Sequence, residues 1–524
     1  MRKCVTTTMA IVMGICLVTP LYAQNAGDFR TRDSGDWSSA QIWETYNGSA
    51  WGPTATAPTG SESITIVATE ERSDSVFVDA PITITGTLIN QGMVEANGNL
   101  TFGDGGTYQH DRDAGEIPIS TWEEGSTLLL TGVESTAPDN RRQNYHNIVF
   151  NTPDLLSNLN MDLDSVTVSG DVHIIDTGLA RWYLTSALAT EGSTVEILGD
   201  VIQDGGNFAV QGTSNAQTTF VVDHYGDIIV NGGNFSISRG SQGGGTTTWN
   251  LHGGDFTMSN ATTQSSTATI GGAQFVFMSG TTQTLTLGEG NTITALPIEV
   301  APGTTLDIGT SVLSGSGDFV VREGAGLATA HPGGVAAIFD GLYVGADTLA
   351  ENSSYVFNGT EAQVTSELMP TVVQDLTIDN AAGVTLSQET TINGVLRLQA
   401  GVFDNSIPFT LGPSGSVSEE GGSLSEGVAS ESEREIPQTI FVDQNYPNPF
   451  NPATTIRYGL PAAGDVMLRL FNVLGQEVRS VALGNQAAGV HEFTLDARGL
   501  TSGVYVYRVE AGEFSASKRM ILVE

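Results

Sequence analysis

Between Gly199 and Gly280 the chain repeats itself in a way that few folds accommodate. The run DVIQDGGNFAV at 200–210 returns as DIIVNGGNFSI at 227–237 and as WNLHGGDFTM at 249–258. IGGAQFVF at 270–277 is a degenerate fourth copy, slipped by one at the aromatic. The glycine pairs are spaced 27, 21 and 18 residues apart. Short apolar runs at such intervals are too short for a wide sheet and too regular for loops, and fit stacked coils of a parallel β-helix. This register predicts that Phe208, Phe235 and Phe256 form an inward ladder, with Val210, Ile237 and Met258 two residues on and facing the same side. The glycine pairs 205–206, 232–233 and 253–254 would form a column of positive-φ corners. Asn207, Asn234 and Asp255 would satisfy backbone groups just past each corner.

The same device extends outward. Val76-Phe77-Val78, Ile82-Thr83-Ile84, Leu88-Ile89, Met93-Val94 and Leu100-Thr101-Phe102 are separated by Gly, Asn, Asp or Pro. Further runs are centred on Ile148, Val168, Ile174, Val300, Ile308, Val320, Ile378, Leu386, Ile392 and Leu398. This style resembles bacterial β-helical surface proteins and adhesins over most of 75–416, on unspecific motifs. Several β-sandwiches in tandem are the alternative, in which strand partners would lie one hairpin away. Before the repeats, 24–74 carries Trp37, Trp43 and Trp51. Such a cluster could stack carbohydrate, but a capping element is the favoured reading, because a terminal rung otherwise exposes apolar rows and unpaired edges. Residues 417–436, rich in Ser, Gly and Glu, read as a flexible linker.

Met1 to Ala23 reads as a secretory signal peptide. Arg2 and Lys3 supply its charge, Met9 to Val18 its apolar run, and Leu21-Tyr22-Ala23 a cleavage site. The run is too short to span a bilayer, and bulky Ile15 before Cys16 argues against a lipoprotein signal. Both cysteines, Cys4 and Cys16, lie in this segment, so the remaining chain is expected to have no disulfide, thiolate metal site or cysteine nucleophile.

The formal net charge is −38, and the only lysine beyond the leader is Lys518. Nucleic acid attracts clustered Lys and Arg, so it is excluded as a partner, and adsorption to anionic lipid is disfavoured. A β-helical lyase would want a Lys or Arg base beside a calcium site, and a hydrolase clustered carboxylates. The tight acidic motifs are Asp162-Leu163-Asp164, Asp111-Arg112-Asp113 and Gly103-Asp104-Gly105-Gly106. Alternation would put Asp162 and Asp164 on one face, a pair that so acidic a chain supplies by chance. No two of His110, His146, His173, His224, His252, His331 and His491 lie at metal-ligand spacing. His252 aligns with Asp204 and Asn231 as a corner residue. The expectation is a chain that is not an enzyme, with no catalytic residues, metal or cofactor. The competing reading is a polysaccharide-active lyase or hydrolase.

From Pro437 onward the style changes. Ile456, Tyr458 and Leu460, then Val466, Leu468 and Leu470, then Phe493 and Leu495, then Val504, Val506 and Val509 recur between Gly, Pro and Asn. This is the pattern of a small antiparallel sandwich, Ig-like in scale. Tyr446 and Phe450 sit among prolines that cannot join a central strand, and are expected to plug one end of it. The blocks NYPNPFNP at 445–452, LGQEV at 474–478 and GVYVYR at 503–508, with Lys518-Arg519 near the close, resemble the C-terminal sorting domain of type IX secretion cargo proteins. The resemblance covers 437–524. It implies an export address in which Asn445, Tyr446, Pro447, Asn448, Pro449, Phe450, Gly475, Gly503, Tyr505, Lys518 and Arg519 carry the signal. The implied partner is the type IX secretion machinery, and the implied destination is the cell surface or the medium. The expected whole is therefore all-β: an elongated parallel β-helix, meeting polysaccharide or matrix, followed by the small sandwich.

Overall fold

Short β-rich runs punctuated by glycine give a chain built from strands. A computed structural model describes residues 24–69, 71–185, 193–212, 219–238, 247–263, 273–288, 291, 293–294, 296–340, 349–425, 439–486, 489–512 and 514–523. The expected signal peptide, 1–23, lies outside them. Secondary structure in the described residues is strand apart from two short 3-10 turns, Ala40–Ile42 and Gly334–Ile338. No helix among them is long and apolar enough to cross a membrane. The chain divides into two compact units, one of 1–186 with 193–209 and the other of 187–192 with 210–524.

In the first unit, Phe29–Thr31, Trp43–Tyr46 and Trp51–Pro53 pair antiparallel. Phe29–Thr31 also pairs parallel with Ser63–Ile66. All strand pairing from there on within this unit is parallel among the described strands. One column of partners runs Ile64, Leu88, Tyr108, Leu128, Ile148, Val172, Val201, and every member is buried. Other series run beside it, including Ile82–Ile84 with Leu100–Phe102 and Thr121–Trp122, and Gly35–Asp36 with Ser75–Phe77 and Met93–Glu95. Partners 18 or more residues apart, in parallel, are incompatible with tandem hairpin sandwiches. Trp37 and Trp43 are buried edge-to-face, their ring centroids 5.1 Å apart. Their indole N–H groups donate to Pro58 O and Trp37 O respectively. Trp51 lies under the Arg30 guanidinium. The three indoles are therefore not an open stacking platform.

The second unit repeats the arrangement. One of its columns runs Gln283, Leu306, Leu327, Tyr355, Leu376, Leu396, Val417. Pairing continues past residue 416: Ser416–Glu419 and Ser423–Leu424 join Val395–Ala400 and Val402–Asp404. The first part of the expected linker is thus strand, and 426–438 lies outside the described residues. Each buried aliphatic or aromatic side chain contributes about 1.5–3 kcal/mol, so like-on-like columns offset much of the ordering entropy.

The expected phenylalanine ladder is corrected at Phe256. Phe208 pairs with Trp182. Phe235 pairs with Thr263, whereas Phe256 sits between Ile228 and Leu285 in a different sheet. The rings of Phe235 and Phe256 meet across the interior, 5.8 Å apart. The glycine column fails for the same reason. Gly232–Gly233 lead from Ile228–Val230 into Gly233–Ser238, and Gly233 pairs with Ala261. Gly253–Gly254 instead lead from Thr247–Leu251 into Phe256–Met258, and they stack on Tyr225 and Gly226. One motif serves two different corners. The second glycine of each pair does take positive φ, at 66°, 77° and 67° for Gly206, Gly233 and Gly254.

Corner Asx side chains tie one coil to the next. Asn147 Oδ1 accepts the Asp171 N–H, and Asp171 Oδ1 accepts that of Asp200. In the second unit Asp227 Oδ1 accepts from Asp255 N–H, and Asp255 Oδ1 from Thr284 N–H. Asn207 and Asn234 also reach neighbouring coils, at Ala180 O and Thr262 Oγ1.

The last strands are antiparallel. Phe441–Val442, Ala453–Leu460 and Gly489–Asp496 form one sheet. Gly464–Phe471, Glu477–Gln486, Gly503–Ala511 and Phe514–Leu522 form another. Ile456, Tyr458, Leu468, Leu470, Tyr507, Val509 and Met520 are among the core they share. In Gly503–Ala511 the inward residues are Tyr505, Tyr507, Val509 and Ala511, so Val504 and Val506 belong to the outer face.

Candidate functional site

Several of the body's titratable groups bond to neighbouring strands and turns. Asp162 and Asp164 do not share a strand face: they lie between Leu159–Asn160 and Thr167–Val168, Asp162 takes φ +57°, and Asp164 is buried. Asp111 accepts hydrogen bonds from Gln91 Nε2 and Thr131 Oγ1. Asp113 Oδ1 accepts the N–H groups of Glu134, Ser135 and Thr136, and Oδ2 accepts the Ser135 hydroxyl. Partial burial pushes this carboxyl up, but those donors outweigh it and hold the pKa down at about 2.

His252 lies against Tyr225, the rings stacked at 4.8 Å, and its Nε2 contacts Asp223 Oδ1 at 2.8 Å. Its neighbour in the stack is therefore Tyr225, not Asn231. His173 Nε2 lies 2.7 Å from Asp204 Oδ2. His110 is fully buried. Its Nε2 donates to Ala114 O at 2.8 Å, which leaves Nδ1 to accept from the Tyr108 hydroxyl at 3.2 Å. Burial lowers its pKa to about 4. Among the described residues no group of three or more His, Cys, Asp or Glu is placed to hold a metal ion.

The tail gathers most of the residues singled out for it. Its organising group is Tyr507, an inward phenol in a small core, whose hydroxyl needs partners. The hydroxyl accepts the Asn445 N–H at 2.8 Å and donates to Asp443 O at 2.6 Å. Burial pushes this phenol up to about 12. The buried Asn445 side chain donates to Pro447 O and Thr454 Oγ1. With Asn445 turned inward, Tyr446 turns out, 83 % exposed, its backbone paired with Thr455. The expected plug is therefore Phe450 alone, which is 2 % exposed. Phe450 N–H donates to Ile521 O, Val523 N–H donates to Phe450 O, and Asn448 Oδ1 accepts the Ile521 N–H. The proline-rich segment thus covers the edge of Phe514–Leu522, with Pro447 and Pro449 exposed on the outside.

Gly503 pairs with Leu522, the residue that Phe450 bridges. Tyr505 is buried with its hydroxyl on Thr501 O at 2.7 Å. Lys518 and Arg519 are exposed on the last strand. Gly475 stands apart, at φ +76° in the turn between Gly464–Phe471 and Glu477–Gln486. Sequence reasoning missed Tyr507, Thr454 and Asp443. The two-residue step from Tyr505 to Tyr507 was the available signal, since it places both phenols on one strand face.

No curated protein and no solved structure matches the chain. Residues 444–524 match the family described as the secretion system C-terminal sorting domain, which supports a type IX secretion cargo, implies contact with that machinery, and implies a cell-surface or extracellular destination.

Proposed function

We propose that this chain is an exported structural or adhesive protein, with a parallel β-helix stalk followed by an Ig-like sorting sandwich. In this reading 24–74 caps the stalk and the tail from 437 is the address. The observation that carries it is the run of parallel partners in which aliphatic meets aliphatic, coil after coil, within each unit. The bonding of Asp111 and Asp113 into the scaffold favours a stalk over a hydrolase. Neutral polysaccharide, matrix or another cell surface suits so acidic a body, since an anionic polymer would be repelled.

Two measurements test the reading. Cells lacking the protein should lose attachment to a surface that the wild type colonises, and the purified body should bind on a glycan array. Turnover of a polyuronate or another polysaccharide by the purified body would overturn the structural role in favour of an enzyme. Deleting 437–524 should trap the remainder in the periplasm, and surface labelling that persists would refute the address.

A further inference from the structure

The turn joining Gly464–Phe471 to Glu477–Gln486 exposes two aliphatic side chains, Val473 at 76 % and Leu474 at 79 %. A mobile tip would hide or scatter such groups, but this one is pinned. Asn472 Oδ1 accepts the N–H groups of both Leu474 and Gln476 at 3.0 Å. Asn472 N–H donates to Gln476 O, and Gly475 N–H to Asn472 O. Gly475 supplies the positive φ that closes the turn. No packing within the tail rewards holding these two side chains in water. Apolar groups presented on a rigid element are how a partner's pocket is met with little ordering cost.

The surroundings indicate the kind of partner. Strand register puts the tip at the end of the sheet where Gly503–Ala511 begins, the end at which Asn448 and Phe450 bond to Ile521 and Val523. The charged side chains beside the tip neutralise each other, Glu477 bonding Arg469 at 2.8 Å. From 437 to 524 seven basic residues face eight acidic ones, whereas the whole chain carries −38. The tail is thus the near-neutral part of a strongly acidic protein, fitted to close apolar contact where the body would be repelled.

We infer that Val473 and Leu474 are the anchor by which the tail docks into an apolar groove on a protein of the export machinery. This rests on the sorting reading of the tail and adds where the tail is gripped. The anchor requires two exposed aliphatic side chains in fixed positions, so polar residues of similar size should abolish docking without disturbing the fold.

The test uses the full chain in a host carrying the type IX machinery, with three variants: deletion of 437–524, the double substitution Val473→Thr with Leu474→Asn, and Asn485→Ser at the opposite end of the same sheet. Losing each buried aliphatic contact should weaken docking about tenfold. The double variant should accumulate in the periplasm, while Asn485→Ser is exported as wild type. A photo-crosslinking amino acid at 474 should give a high-mass adduct that the same group at 485 does not. Folding of the double variant is checked by hydrogen exchange of the Asn445 and Phe450 amides, which should stay protected. If the deletion is trapped but the double variant is exported normally, the anchor is refuted and the address stands. If the deletion itself reaches the surface, the address is refuted.

Discussion

Substituting Gly254 by alanine tests the coil-on-coil register directly. A Cβ at this position would stand 2.2 Å from Gly226 O and 2.4 Å from Gly226 C. Both are backbone atoms, so no rotamer change relieves the overlap, and the two coils must separate. Gly280 is the control: its φ of +73° resembles the +67° of Gly254, but nothing lies within 4 Å of its Cβ position. Alanine at Gly280 should therefore cost only the left-handed backbone, about 1–2 kcal/mol. Alanine at Gly254 carries that cost plus an overpacking term of about 1–3 kcal/mol. The reporters are amides that bond across the two coils: Ile228 N–H to Asp255 O, His252 N–H to His224 O, and Asp255 N–H to Asp227 Oδ1. Native-state hydrogen exchange reads their local opening. Gly254→Ala should speed exchange at these amides by roughly tenfold or more relative to Gly280→Ala. Equal protection in the two variants would sink the argument. Selective loss of protection at 232–234 would point instead to glycine pairs stacked on one another.

Three further outcomes follow from the buried polar groups. Tyr507→Phe strands the Asn445 N–H and Asp443 O inside the tail, so a local destabilisation of about 1–3 kcal/mol should appear as faster exchange of the Asn445 amide, with Tyr505→Phe milder. His110 has a folded pKa of about 4, below its ordinary value of 6.5. Its neutral form is the one the fold holds, so stability is complete above pH 6.5 and falls by up to about 3 kcal/mol as the pH drops toward 4. In His110→Gln the slope of the unfolding midpoint across that window should be reduced relative to wild type. Asp113, held at about 2 against a usual 3.8, contributes at higher pH and is lost only as the pH falls from about 4 toward 2. Asp113→Asn should therefore alter the acid limb below the histidine window and leave the slope between pH 6.5 and 4 intact.

Strands were legible because period-two alternation survives even in runs of three to five residues. Corners were not, because a glycine pair meets the same φ requirement wherever the chain turns. The 21-residue step from Gly232 to Gly253 falls short of the 28 residues separating Ile228 from its partner Phe256, and that shortfall was the sign of a different corner. Composition misled at 417–424, where Ser, Gly and Glu suggested a linker although Val417 and Leu424 continue the columns of Leu396 and Phe403. Asn90 and His110 were readable in hindsight from parity alone. Each stands two residues after an inward partner, Leu88 and Tyr108, and the pair then line up in the stack with Ile66 and Leu130. In the tail, the outward turn of Tyr446 follows from the polar inward partners of Asn445, of which Pro447 O is local but Thr454 and Tyr507 lie nine and sixty-two residues away.

Parallel stacking also explains how so acidic a body tolerates its own charge. In a parallel column a residue meets its counterpart one coil on, about 4.8 Å away, and like charges directly opposed are destabilising. A row of carboxylates along a strand would repel itself along its length. The outward column beginning at Ser63 runs Thr87, Thr107, Thr127 and Asn147, all uncharged, and where it continues as Asp171 and Asp200 the Asp171 carboxylate accepts the Asp200 N–H. Several carboxylates just before a strand are given a backbone donor: Asp171 takes the Asp200 N–H, Asp227 the Asp255 N–H, Asp375 the Val395 N–H. The backbone dipole of one coil thus stabilises the charge of its neighbour, which is the role lysine fills on most surfaces. A chain built this way can carry a large negative charge with almost no lysine, because its counter-charges are partial, numerous and supplied by the fold itself.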